Sequence, residues 1–148
     1  MTDFFGKLYS LSNSCQPKLA LGAIETIVTD NMNRELAAEF KEREIQEALS
    51  QMAPSKAPGP YGMPPLFFQH FRGLVGKEIT SSVLCFLNSA TLPEHINHTS
   101  LTLIPKVKNP ELVYAFHPTS LCNVVYKLFS KVLANRLKRI LPKIITKH

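Results

Sequence analysis

The side chains with the clearest chemical signature in this chain are basic, and they gather in its last third. Residues 101–148 contain nine lysines and arginines against one acidic residue, Glu111, whereas residues 1–100 contain eight basic and ten acidic residues. Lysine and arginine side chains that neutralise phosphates release condensed counterions, which drives affinity for nucleic acid. A solvated basic surface without a ligand would have the same composition. The candidate nucleic-acid contacts are Lys108, Lys127, Lys131, Arg136, Lys138, Arg139 and Lys143.

The remaining reactive side chains match no catalytic or metal-binding pattern. The chain has two aspartates, Asp3 and Asp30, and both lie far upstream of the basic third. Its histidines and cysteines lack the spacing of a zinc site, and Gly76-Lys77 lacks the upstream glycine and the Ser/Thr of a phosphate-binding loop. We therefore expect no metal site, no hydrolase activity and no small-molecule substrate. The three cysteines are odd in number and far apart, which is typical of reduced thiols.

The basic residues need an element that presents them together, and the strongest predicted helix does so. It spans residues 125–141, and its positions divide into two faces when they are projected at 100° per residue. Its apolar positions are Val125, Leu128 and Val132. Its basic positions, on the opposite side, are Lys127, Lys131 and Lys138. Three lysines on one exposed face can follow a phosphate backbone.

Upstream of that helix, apolar residues three and four positions apart predict further helices. One covers residues 19–36, with a break near Asp30, which would cap its second part. The next covers residues 42–52, and its apolar stripe consists of Ile45, Ala48, Leu49 and Met52. A third begins at Pro65 and is weakened or ended by the glycines at 73 and 76, after which a fourth follows.

The apolar period changes to two between Thr99 and Lys106, which predicts a strand that Pro105 ends. Residues 119–125 are predicted to begin a second extended piece, and residues 106–117 connect the two. Four to six helices and a small sheet make a helix-rich α+β fold.

Residues 56–65 separate the predicted helices with a sequence that no helix or central strand can cross. Four prolines and two glycines stand among these ten residues. Proline fixes φ near −65° and donates no backbone hydrogen bond, and glycine accepts positive φ, so one or two tight turns of fixed shape are expected. We call this segment the elbow. Its central residues are Lys56, Pro58, Gly59, Pro60, Tyr61 and Gly62.

These segments, in this order, resemble the reverse transcriptases of LINE-type (non-LTR) retrotransposons, especially those of plants. Residues 56–62 match a Lys-Ala-Pro-Gly-Pro-Asp-Gly segment of that family, with Tyr61 in place of the aspartate. Residues 103–106 match a Leu-Ile-Pro-Lys segment, and residues 116–121 resemble a Phe-Arg-Pro-Ile-Ser-Leu segment with His117 in place of the arginine. The resemblance covers nearly the whole chain.

The resemblance implies a partial right-hand polymerase that comprises the fingers and the beginning of the palm, with a small strand or hairpin around residues 99–105. It divides the chain into a helical upstream extension over residues 1–55, the elbow over residues 56–65, and a fingers-like part over residues 66–148.

By the same resemblance, Lys106 and His117 stand where the family binds the phosphates of the incoming nucleotide. Arginine offers phosphate a permanently charged planar fork, whereas histidine is mostly neutral at pH 7 and offers one donor. We therefore expect the exchange to weaken nucleotide binding. The loss of the aspartate at Tyr61 removes an acceptor for backbone N–H groups in the turn and is expected to be structural.

The resemblance also bears on cofactors and activity. Polymerases use two divalent ions held by carboxylates, and Mg²⁺ serves the full-length family. The family's catalytic aspartates correspond to positions beyond His148, so we expect this chain to bind no cofactor and not to polymerise alone. Three hypotheses remain: a truncated reverse transcriptase fragment, a stand-alone module that binds RNA or DNA through the basic third, and a relic without activity.

The sequence also bears on location. No apolar run approaches the roughly 18 residues of a membrane span, and no secretory signal is recognisable. We expect no membrane partner and a nuclear or cytoplasmic protein.

Overall fold

Six α-helices and one two-stranded sheet make up the part of the chain that the structure, a computed structural model, describes: residues 2–10, 27–92 and 94–145. The helices are α1 (Thr2–Leu8), α2 (Asp30–Ala37), α3 (Glu42–Ser50), α4 (Pro65–His70), α5 (Arg72–Ser89) and α6 (Val124–Ile144). The strands are β1 (Thr99–Pro105) and β2 (Phe116–Cys122), and a 3₁₀ turn at Val113–Ala115 precedes β2. These elements confirm the predicted helix-rich α+β class.

The core forms where α3, α5 and α6 pack together, because each of these helices presents apolar residues to the others. The predicted stripe of α3 is buried, with Ile45 only 1% exposed. The predicted apolar face of α6 contributes Leu128 and Val132, each also 1% exposed. The ring of Phe129 stacks on the ring of Phe86 in α5, with 4.3 Å between the ring centroids. Full burial of one such side chain contributes about 1.5–3 kcal/mol, so the middle of α6 is firmly held by α3 and α5.

The start of α2 differs from its prediction in one detail. Thr29 is the N-cap residue, and its Oγ1 accepts a hydrogen bond from the backbone N–H of Met32 at 3.3 Å. Asp30, which was the predicted cap, is instead the first helical residue, where a carboxylate interacts favourably with the positive end of the helix dipole. The predicted helical segment over residues 19–26 lies outside the described residues.

Residues 56–64 of the elbow have no regular secondary structure, as predicted, and a tight turn lies among them. The backbone N–H of Gly62 donates to the carbonyl oxygen of Gly59 at 2.9 Å, and Gly62 takes a φ of 72°, which glycine adopts without strain. Pro65 opens α4 at its first turn, where a missing N–H breaks no helical hydrogen bond. The division of the chain into separate parts at residues 55 and 65 stays a prediction.

The break between α4 and α5 falls at Phe71 and not at the glycines that follow it. Phe71 has φ −91° and ψ 25°, whereas α5 runs without interruption through Gly73 and Gly76. A glycine inside a helix costs about 1 kcal/mol relative to alanine. The burial of Val83 and Thr80 against the core offsets that cost. The prediction that these glycines end a helix is therefore wrong, because tertiary packing outweighs local propensity.

β1 and β2 form an antiparallel hairpin in which Ile104 lies opposite His117. β1 ends at Pro105 as predicted, but β2 begins at Phe116 rather than at Thr119, because pairing with β1 determines where the second strand starts. Side chains of both faces remain exposed: Leu101 is 45% exposed and Ile104 is 48% exposed. The hairpin therefore buries little of its own surface against the helices.

Candidate nucleic-acid interface

The elbow packs onto the first turn of α6, and two contacts fix it there. Gly59 comes so close that a Cβ atom on it would lie 2.5 Å from the backbone nitrogen of Asn123. Lys127 donates a hydrogen bond from its Nζ to the carbonyl oxygen of Ala57 at 2.6 Å. The buried amide of Asn123 also donates to two backbone carbonyls of the segment that precedes β1. The start of α6 thus joins the elbow to the sheet.

A hollow of ≈ 350 Å³ opens where the elbow meets α6, and we call it the elbow hollow. Three of its six lining residues are lysines, and none is acidic. The lining residues are Lys56, Cys122, Tyr126, Lys127, Ser130 and Lys131. A concave surface lined by one sign of charge concentrates counterions of the opposite sign, so the basic lining makes this hollow the candidate interface.

The ionisation of Lys127 reflects its position in the elbow hollow. Burial lowers the pKa of the Lys127 ammonium group, and the positive charge of Lys56 acts in the same direction, while Cys122 opposes both. Lys56 and Lys127 come from different elements and line the same hollow. The predicted role of Lys127 in nucleic-acid binding stays a prediction, and its hydrogen bond to Ala57 gives it a structural role as well.

The hairpin brings Lys106 and His117 to the same end of the sheet. Lys106 directly follows β1; its backbone N–H donates to the carbonyl oxygen of Ala115 at 2.8 Å, and its Nζ donates to that of Tyr114 at 3.1 Å. His117 is exposed and lies opposite Ile104, two positions before Lys106. Opposite residues share a face, so Ile104 and His117 belong to one face of the hairpin; Lys106 lies just beyond β1, at the same end of the sheet as His117. Their predicted contact with nucleotide phosphates stays a prediction.

The other predicted contacts lie on exposed surface in separate places. Lys108 is in the turn after β1, and Lys138 and Lys143 are on the C-terminal half of α6. Arg139 lines a second hollow, of ≈ 330 Å³, together with three glutamates. Because those carboxylates balance the basic side chains, this second hollow lacks the uniform positive charge of the elbow hollow.

Arg136 is a structural residue and not a nucleic-acid contact. It is 6% exposed. Its Nε and Nη2 donate to the two carboxylate oxygens of Glu44 at 2.7 and 2.8 Å, and its remaining N–H groups donate to the backbone carbonyls of residues 36, 38 and 39. Its guanidinium carbon lies 3.4 Å from the centre of the Phe40 ring. All five donors are engaged, so the prediction that Arg136 binds phosphate is wrong.

The sequence contains a signal for this structural role. Arg136 stands four residues after Val132 and four before Ile140, both of which are 1% exposed. A charged residue inside such a stripe needs a partner, because an unpaired charge is costly to bury. The partner, Glu44, is 92 positions away, and nothing local identifies it. The hydrogen bond from Arg136 lowers the pKa of Glu44, against the opposing effect of burial.

The described residues do not assemble a metal site. Nowhere in the described ranges do three His, Cys, Asp or Glu side chains come together in a way that could hold an ion. The two Mg²⁺ ions of a polymerase require a cluster of carboxylate oxygens, so the described residues do not fit them and we derive no catalytic step through a metal. None of the helices in the described ranges is both long and apolar enough to cross a membrane.

The chain is similar to a transposon protein over most of its length. Over 119 residues it is 28% identical to the Transposon TX1 uncharacterized 149 kDa protein of Xenopus laevis. The similarity covers 80% of this chain and 9% of that protein, so the chain spans less than a tenth of its relative. No family model matches the chain.

Proposed function

We propose that this chain is the fingers part of a reverse transcriptase, an RNA-directed DNA polymerase, from a LINE-type (non-LTR) retrotransposon of the kind found in plants. The similarity to a transposon protein supports the origin at a coarse level. The order of the matching segments, from the elbow through the hairpin to α6, supports the finer assignment. In this proposal the chain positions nucleic acid and nucleotide phosphates, in the nucleus or the cytoplasm, and does not polymerise alone.

The observation that carries the proposal is the exposed end of the hairpin, where Lys106 directly follows β1 and His117 pairs with Ile104, two positions before Lys106. The ammonium group of Lys106 has three donors, of which the bond to the carbonyl oxygen of Tyr114 at 3.1 Å uses one. Two donors remain for phosphate oxygens. His117 adds one donor when it is neutral and a positive charge when it is protonated. The pair therefore has the chemistry to bind a triphosphate.

Polymerisation requires a cluster of carboxylates that the described residues do not bring together. Its two aspartates are Asp3, in α1, and Asp30, at the start of α2. Phosphoryl transfer by polymerases depends on two divalent ions that stabilise the attacking and leaving oxygens. In our proposal Mg²⁺ acts with the carboxylates of a further polymerase segment, and this chain supplies none of the metal ligands.

Titration with a deoxynucleoside triphosphate tests the nucleotide site. We expect His117→Arg to bind the triphosphate about tenfold more tightly than the unchanged chain, because a charged bidentate contact replaces a mostly neutral single donor. Lys106→Ala should lose most of the affinity. Lys77→Ala, at an exposed position of α5, is the matched control and should bind like the unchanged chain. Equal affinities for all four chains would contradict a site at the hairpin.

Primer extension on an RNA template, with Mg²⁺ or Mn²⁺, tests the proposal that this chain does not polymerise alone. We expect no incorporation by the purified chain. Incorporation that survives repeated purification would overturn the statement that this chain does not polymerise alone.

A stand-alone nucleic-acid-binding module is the second candidate, and the uniform positive charge of the elbow hollow favours it. Such a module binds RNA or DNA with an affinity that falls linearly with salt on logarithmic axes, and it has no affinity for a triphosphate. Binding of RNA without binding of the triphosphate would select the module. A folded chain that binds neither would be a relic without activity.

A further inference from the structure

We propose that the elbow hollow binds the sugar–phosphate backbone of a nucleic-acid strand, with Lys56 and Lys131 as its phosphate contacts. This inference rests on the proposed function and extends it, because it assigns a binding role to the elbow. Lys56 belongs to the elbow and Lys131 to α6, and the fold brings both to one concave surface. No other residue of the elbow lines that surface.

The charge of the hollow is unbalanced. Its lining has three lysines and no carboxylate. The ion pair of Glu44 with Arg136 lies outside it, as does the contact between Glu94 and His95. Like charges that share a hollow repel one another, and a bound phosphate relieves that repulsion. The lowered pKa of Lys127 agrees with this account, since burial and the charge of Lys56 both disfavour its protonated form.

Lys127 anchors the hollow, and the phosphate contacts are its neighbours. Its Nζ is 2.6 Å from the carbonyl oxygen of Ala57 and is partly enclosed, whereas Lys56 is exposed. The close packing of Gly59 on Asn123 adds a second attachment between the elbow and α6. Because both attachments are formed by residues of the chain itself, they hold Lys56 beside α6. Such preorganisation reduces the entropy that binding would otherwise cost.

Three lysines that follow one another along one face of α6 favour a nucleic-acid strand over a single small anion as the ligand. Lys131 lies one turn beyond Lys127, about 6 Å along the helix axis, and Lys138 continues the same face about 10 Å farther. A strand presents successive phosphates to such a row, whereas one phosphate can meet only part of it. Tyr126 also lines the hollow, and an aromatic ring offers a base a surface on which to stack.

Two free thiols among the described residues make a footprinting experiment possible. Cys122 lines the elbow hollow, whereas Cys85 is exposed on α5 and does not line it. In the full chain with Cys15→Ser, the rate of maleimide labelling at each thiol is measured by peptide mass spectrometry, with and without a short single-stranded RNA at low salt. We expect RNA to slow the labelling of Cys122 about tenfold, to leave Cys85 unchanged, and to lose this effect as salt is raised.

Charge reversal gives an independent readout. The double variant Lys56→Glu, Lys131→Glu is compared with Lys7→Glu, Lys77→Glu, which changes the net charge equally at exposed lysines outside the hollow. We expect the first variant to bind RNA about tenfold more weakly than the second, and to show a logarithmic salt slope smaller by about two. Circular dichroism verifies that both variants are folded.

The outcomes separate this inference from the function on which it rests. If the chain binds RNA but RNA does not slow the labelling of Cys122 more than that of Cys85, and both double variants bind alike, the hollow is not the site and the proposed function stands. If inorganic phosphate at the same phosphate concentration protects Cys122 as well as RNA does, the hollow is a small-anion site and the strand proposal fails. A folded chain that binds neither RNA nor a triphosphate would overturn both.

Discussion

The side chain of Arg136, in α6, contacts α2, α3 and the segment between these two helices. Its guanidinium binds the carboxylate of Glu44 in α3 and the backbone carbonyls of residues 36, 38 and 39, and it lies over the ring of Phe40. The planar fork of arginine suits this arrangement, because it offers five donors in fixed directions. The residue therefore fixes the segment between α2 and α3 against α6.

We expect Arg136→Lys to destabilise the chain by about 3 kcal/mol, measured by urea denaturation at pH 7. Lysine keeps the charge, but its three donors replace five, so buried acceptors lose their partners. Arg139→Lys is the matched control, because Arg139 is exposed, and it should change the free energy of unfolding by less than about 0.5 kcal/mol. Equal effects of the two changes would show that the contacts of Arg136 do not contribute to stability.

The same ion pair predicts a pH dependence of stability. Arg136 holds the pKa of Glu44 below its ordinary value, so the unfolded state binds more protons than the folded state as the pH falls. The stabilisation is complete above the pKa of an unfolded glutamate, about 4.3, and is lost as the pH falls through the lower folded value. Thermal denaturation of the unchanged chain and of Glu44→Gln at several pH values between 7 and about 3 tests this. The stability difference between the two chains should shrink on acidification, and a constant difference would contradict the assignment.

At the scale of elements, the joint between the elbow and α6 determines where the candidate interface lies. The elbow carries Lys56, α6 carries Lys131, and the contact of Gly59 with Asn123 holds the two elements together. A change in this joint should therefore alter both stability and the shape of the elbow hollow.

We expect Gly59→Ala to destabilise the chain by about 2 kcal/mol, because its Cβ would lie 2.5 Å from the backbone nitrogen of Asn123 and backbone cannot move aside easily. Gly73→Ala is the matched control. A Cβ at Gly73 meets nothing within 4 Å and lies in α5, where alanine favours the helix. Denaturation midpoints should therefore move in opposite directions. A neutral Gly59→Ala would mean that the elbow is free to shift away from α6.

Local sequence predicted the elements that depend on local chemistry. Pro65 opens α4 and Pro105 ends β1, because proline restricts the backbone wherever it occurs. The start of β2 at Phe116 could not be predicted in this way, since it depends on pairing with β1. The residues of the candidate site show the same contrast between what local sequence predicts and what only the tertiary fold determines. Charge clustering predicted Lys131 as a contact, which stays a prediction, whereas the approach of Lys56 to α6 depends on the tertiary fold and was missed.

At the scale of the whole molecule, the described residues divide into a packed helical core and an exposed hairpin. The core of α3, α5 and α6 contains side chains that are 0–2% exposed, such as Val83 and Phe129. The hairpin and its connection instead expose apolar side chains, among them Val107 at 57% and Tyr114 at 66%. Stability should therefore differ between the two regions, because few buried contacts oppose local opening of the hairpin.

Hydrogen exchange measured by mass spectrometry tests this difference. We expect the backbone amides of β1 and β2 to exchange at least about tenfold faster than those in the middle of α6. Addition of single-stranded RNA should slow exchange in the elbow and the first turns of α6 more than in the hairpin. Uniform exchange across both regions would show that the hairpin and the core open together.

The bonds of Arg136 join positions 92 to 100 residues apart in the chain, and this separation governs the order in which the protein can fold during synthesis. The ribosome releases α3 long before α6, so the apolar stripe of α3 has no partner from α6 until almost the whole described chain has been made. Contacts between such distant residues form slowly, and exposed apolar surface promotes association in the meantime. A nascent chain interrupted before α6 is therefore expected to bind chaperones or aggregate.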